Sequence, residues 1–61
     1  MLELEMLKEI RKEKDLSQEK LARALGVSLH TVIRWFQNKN KPSDLAMIQI
    51  RKFIGEYKKE E

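Results

Sequence analysis

A 61-residue chain with no cysteine and a single histidine, His30, has no covalent or metal staple to hold it together. Chains this short commonly rely on disulfides, a structural metal or oligomerisation, because a small core supplies little stability. Without thiolates neither a disulfide scaffold nor a thiolate zinc site can form, and one histidine does not make a metal cage. The core must therefore come from packed apolar side chains, with dimerisation as the remaining aid. Two glycines, one proline and no alternation of polar and apolar residues argue against strands. The expectation is an all-α, compact four-helix domain occupying residues 1–61. No apolar run approaches the roughly 20 residues that cross a bilayer, and Glu3, Glu5 and Lys8 interrupt any signal-peptide core. Together with the lack of cysteine, this points to a cytoplasmic protein with no membrane partner.

Charge is unevenly placed. Residues 28–52 hold Arg34, Lys39, Lys41, Arg51 and Lys52 against Asp44 alone, net +4 in a chain whose total is +3. Residues 1–27 balance to zero, and residues 53–61 are net −1. A basic middle on a neutral frame suits an anionic partner, although a plain solvated face reads the same way.

Local signals divide the chain. Residues 2–13 are rich in good helix formers, with Leu4, Leu7, Ile10 and Met6 on one stripe. Lys14-Asp15 is a turn in which Asp15 takes the left-handed conformation. Ser17 caps a second helix from Gln18, with Leu21, Ala22 and Leu25 inward and Gly26 as its stop. Ser28 caps a third helix over residues 29–37, with Val32, Trp35 and Phe36 apolar. Trp35 belongs to the core by its spacing with Val32 rather than to a base-stacking surface. A polar loop, Asn38 to Pro42, leads to Ser43, which caps a fourth helix over residues 43–57. Leu45, Ile48, Ile50, Phe53, Ile54 and Tyr57 are its apolar positions. The charged tail, Lys58 to Glu61, is expected to fray.

Two short helices joined through Gly26-Val27-Ser28 form a helix-turn-helix pattern over about residues 17–38. The stretch LSQEKLARALGVSLHTVIRWFQNKNKPS resembles the Cro and lambda-repressor-like DNA-binding domains, often called the XRE type. Ser17-Gln18, Leu21-Ala22, Leu25-Gly26-Val27-Ser28, Thr31-Val32, Arg34-Trp35 and Lys41-Pro42-Ser43 carry the resemblance, which covers residues 4–54. It implies a lambda-repressor-like fold whose third helix enters the DNA major groove.

The resemblance also implies roles. Ser28, Leu29, His30, Thr31 and Arg34 match base-reading positions, with Ile33 at the rim. Gln18, Asn38, Lys39, Asn40 and Lys41 match phosphate contacts. Arg34 suits a bidentate grip on guanine, and no acid stands three or four residues from it on the third helix to pair with it instead. His30 reads equally well as a surface histidine, and residues 38–41 as a solvated loop. The sequence departs from the family at three positions. Asp15 and Asn38 stand where glycine is common. Phe36 replaces a glutamate that pairs with the arginine matched by Arg11, so Arg11 is expected to stack on Phe36 or to find Glu13 or Asp15. An exposed Phe36 would instead mark a protein contact.

The function implied is sequence-specific binding of double-stranded DNA by a small transcriptional regulator, a repressor acting as a homodimer, in a prokaryotic or phage nucleoid. Ile50, Phe53, Ile54 and Tyr57 exceed the needs of one helix face and are the candidate dimer surface. The alternative is that all four are buried in the monomer. The competing function is a protein-interaction module such as an antitoxin or phage accessory protein, with a protein partner. An enzyme finds no support: there is no nucleophile–base pair, no cofactor motif and no metal set.

Overall fold

The computed structural model describes residues 2–59, with side chains placed up to Tyr57. Four helices follow one another: α1 (Leu2–Glu13), α2 (Gln18–Leu25), α3 (Leu29–Phe36) and α4 (Asp44–Lys59). The boundaries agree with the sequence reading to within one residue, α3 stopping at Phe36 rather than at 37 and α4 starting at Asp44, except at the end, where α4 continues through Lys59. Glu60 and Glu61, the rest of the expected tail, lie outside the described residues.

Each junction is written in local chemistry. Three serines open helices by accepting a backbone N–H from the first turn: Ser17 Oγ from Lys20 (3.1 Å), Ser28 Oγ from Thr31 (3.2 Å) and Ser43 Oγ from Ala46 (3.2 Å). Three left-handed residues close helices: Asp15 (φ 53°), Gly26 (φ 74°) and Asn38 (φ 60°). Each closure carries the same pair of bonds. The N–H after the left-handed residue reaches back five residues: Leu16 to Arg11 (2.9 Å), Val27 to Ala22 (3.0 Å) and Lys39 to Arg34 (3.0 Å). The left-handed residue's own N–H bonds to the carbonyl three residues back, on Lys12, Arg23 and Trp35 respectively. Asp15-Leu16-Ser17 and Gly26-Val27-Ser28 are thus one device used twice: a left-handed residue, a half-buried apolar residue and a serine cap.

Neither eight-residue helix could persist alone in water. Both are held by burial. Leu7, Leu21, Val32 and Ile50 are fully enclosed, and Leu4, Ile10, Ala22, Leu25, Trp35 and Ile54 complete the core. α4 packs on α1 and α2, while α3 packs chiefly on α2. That arrangement leaves the far side of α3 uncovered. Trp35 is 3% exposed, a core residue as its spacing implied.

The six apolar positions of the fourth helix divide between two sides, and the expected partner of Arg11 needs correction. Leu45 and Ile48 do not face the core; they are 77% and 58% exposed. α4 turns inward the positions Ala46, Met47, Ile50, Phe53, Ile54 and Tyr57, which recur every three or four residues. Leu45 and Ile48 fall on the opposite side of that repeat. Phe36 is half-buried against the core, on the apolar side where its spacing puts it, so the alternative of an exposed Phe36 does not hold; but Lys8, not the expected Arg11, lies over its ring, with Nζ 5.5 Å from the centroid. Arg11 donates to the carbonyl oxygen of Leu16 at 3.0 Å. The α1–α2 turn presents that carbonyl to a guanidinium, so Arg11 braces the turn and needs no carboxylate. The Tyr57 hydroxyl donates to the Glu13 carboxylate, and Arg51 pairs with Glu3 at 3.6 Å; both link α4 to α1.

Candidate nucleic-acid interface

Helical geometry turns each successive side chain by about 100°. With Val32 and Trp35 inward, the positions farthest from the core on α3 are His30, Ile33 and Arg34, and Gln37, the residue that closes the helix, continues their side. His30, Arg34 and Gln37 are exposed and Ile33 is half-buried. Leu29, 40% exposed, sits on the flank. The closure of α3 folds the Lys39 N–H onto the Arg34 carbonyl, so the start of the 38–41 loop lies against the last turn of α3. Asn38, Lys39, Asn40 and Lys41 are all exposed, and the buried Pro42 anchors the far end of the loop. One surface therefore holds Leu29, His30, Arg34 and Gln37 beside Lys39. The family resemblance did not point to Gln37, yet its spacing of seven from His30 and three from Arg34 places it on their face.

Ser28 and Thr31 have a different setting. The two hydroxyl oxygens are 2.8 Å apart, and Ser28 Oγ also accepts the Thr31 N–H. One of the two hydroxyl protons is spent between them, which leaves the pair a single free donor. Their first task is to hold the start of α3. Gln18 is half-buried at the head of α2.

The electrostatics are one-sided. α3 carries Arg34 and no acid, and Arg34, Lys39 and Lys41 have no ion-pair partner among the described residues. By contrast, on α2 Arg23 is tied to Glu19 at 3.3 Å. A groove of about 350 Å³ beside α1 and Phe36 is lined by Lys8, Arg11 and Lys12 but also by Glu5 and Glu9, so opposite charges mix there. Among the described residues no group of three or more His, Asp or Glu side chains is placed to hold a metal ion, and no helix is long and apolar enough to cross a membrane.

Of the four candidate dimer residues, Ile50 (0% exposed) and Ile54 (6%) are consumed by the monomer core, and Phe53 and Tyr57 are half-buried against it. A helix packed on both α1 and α2 needs a broad apolar face, and these residues provide it. They do not form a free surface.

No curated protein and no solved structure matches the chain significantly. A family model does: the helix-turn-helix model HTH_3 matches residues 7–60, nearly the whole chain and all four helices at least in part. Its match spans the capped, glycine-turned pair α2–α3 and the uncovered face of α3. The chain therefore belongs to the helix-turn-helix family HTH_3, and its fold is that of a DNA-binding domain of the Cro and lambda-repressor type.

Proposed function

We propose that this protein is a small transcriptional regulator, a repressor, that binds double-stranded DNA sequence-specifically as a dimer with α3 in the major groove. The observation that carries this reading is the outer face of α3. His30, Arg34 and Gln37 stand exposed in a row, with no acid on the helix and no ion-pair partner for Arg34 among the described residues. Side chains able to donate to guanine or to adenine edges are held on a short helix of the width a major groove admits. Arg34 and His30 read bases, Leu29 contacts a thymine methyl, and the spare Ser28–Thr31 proton donates to the DNA. Lys39 and Lys41, with Asn38 and Asn40, hold the phosphates, and Gln18 does so from the head of α2. Residues 17–38 form the docking unit of a single domain. In this reading the chain acts without cofactor, metal or catalysis, on nucleoid or phage DNA in a prokaryotic cytoplasm.

The experiment is selection from a random duplex library, followed by titration of the enriched sequence against salt. A two-fold symmetric winner is expected, with half-sites about one helical turn, roughly 34 Å, apart. With two cationic phosphate contacts from each subunit, Lys39 and Lys41, the logarithmic salt slope should be about −4. A library without enrichment refutes the reading. The second reading, a protein-interaction module of the antitoxin or phage-accessory kind, draws on the exposed Leu45 and Ile48 and would give partner binding that salt barely weakens.

A further inference from the structure

The outer side of α4 has the composition of a self-complementary contact. Leu45 and Ile48 are the most exposed large apolar residues within the described helices apart from Leu2 near the chain start. Asp44, Ile48 and Lys52 are spaced by four, so they form one ridge along the helix. All three are exposed, and neither Asp44 nor Lys52 has an ion-pair partner among the described residues. The acid and the base stand equally far from Ile48, about 6 Å along the axis on either side.

We propose that this face is where a second copy of the chain binds, with α4 crossing α4 antiparallel at Ile48. A two-fold axis through that residue brings each position before Ile48 to the same distance after it on the other copy. Asp44 of each copy then meets Lys52 of the other, twice, and the two Ile48 side chains meet on the axis. Leu45, on the adjoining row, covers Ile48 and the aliphatic stem of Lys52 from the other copy. Two copies in any other register lose one of these matches. Charge complementarity in this arrangement is what selects a second copy rather than an unrelated partner. A standard interface covers about 800 Å² on each side. A single helix crossing covers less, so the free dimer is weak and two adjacent half-sites on one duplex strengthen it through effective concentration. Because α4 begins where the 38–43 segment leaves α3, the crossing also sets the separation of the two α3 helices.

The inference deepens the dimeric reading above and rests on it for its purpose. Its test uses no DNA. Sedimentation equilibrium of the full chain at low salt, up to about 1 mM, should show monomer–dimer association. Ile48→Asp should weaken it by about tenfold or more. Asp44→Lys and Lys52→Asp should each weaken it, and the double exchange should restore it to within about threefold, since it rebuilds the pair with reversed sign. All these positions are exposed, and circular dichroism melting verifies that each variant folds. A wild-type chain that stays monomeric at about 1 mM overturns the proposal. So does a dimer indifferent to Ile48→Asp, or a double exchange that does not recover. A chain that self-associates as expected but enriches no duplex leaves this surface standing and refutes the DNA reading alone.

Discussion

The two glycines offer a controlled comparison of one substitution in two backbones. A Cβ added at Gly26 or at Gly55 meets nothing within 4 Å, so neither Gly→Ala change carries a clash. Gly26 has φ 74°, whereas Gly55 lies inside α4. Alanine in the left-handed region costs about 1–2 kcal/mol. The narrower unfolded ensemble of alanine returns about 0.4–1 kcal/mol. Gly26→Ala should therefore destabilise by about 1 kcal/mol, and Gly26→Asn by less, because asparagine tolerates that conformation. Gly55→Ala should stabilise by about 0.8–1 kcal/mol, the difference in helix propensity. At about 2.1 cal/mol/K of unfolding entropy per residue, a chain of 61 residues shifts its Tm by about 8 °C per kcal/mol. The two alanine variants should then melt about 15 °C apart on either side of the parent, and the double variant close to it. Far-UV circular dichroism at low protein concentration measures this. A Gly26→Ala variant that melts with the parent refutes the assignment of the turn's glycine requirement to backbone torsion. A Gly55→Ala variant that melts lower refutes the view that this position is an ordinary exposed helix site.

Substitutions on the α3 face, in the loop behind it and in the first turn probe the remaining claims. Arg34→Ala should weaken binding to the selected duplex by about 1–3 kcal/mol and flatten the preference at the guanine it reads, while leaving the melting temperature unchanged; repeating the library selection measures both. Lys39→Ala should weaken binding to every duplex alike and reduce the salt slope by about 1 for each subunit, as read by titration across salt concentrations. Asp15→Gly should raise stability by about 0.5 kcal/mol in urea unfolding, because removing the left-handed penalty of a non-glycine residue and a negative charge at the C-terminal end of α1 outweighs the wider unfolded ensemble of glycine.

The junctions of this chain were legible because their chemistry is local. Ser17, Ser28 and Ser43 cap helices with atoms no more than three residues away, and Asp15, Gly26 and Asn38 close them with bonds that span no more than five. The candidate reading face of α3 was legible for the same reason, once Val32 and Trp35 established which side is inward. Gln37 escaped because it stands just past the last turn, where family motifs are less informative than the helical repeat.

The partners of Arg11 and Phe36 were not legible. Arg11 can reach either a ring or a carbonyl, and only the folded α1–α2 turn brings the Leu16 oxygen within 3.0 Å while Lys8 takes the place over Phe36. α4 poses the same problem on a larger scale. It is apolar at Leu45, Ile48, Ile50, Phe53, Ile54 and Tyr57, more positions than one face can hold, so its own sequence allows more than one inward side. The sequence by itself determined four helices, their caps and turns, and the row of residues on α3, because each depends on neighbours along the chain. The tertiary structure alone decided that Ile50 and Ile54 are core and that Leu45 and Ile48 face outward. That choice belongs to the surfaces of α1 and α2, which α4 meets only when the chain has folded.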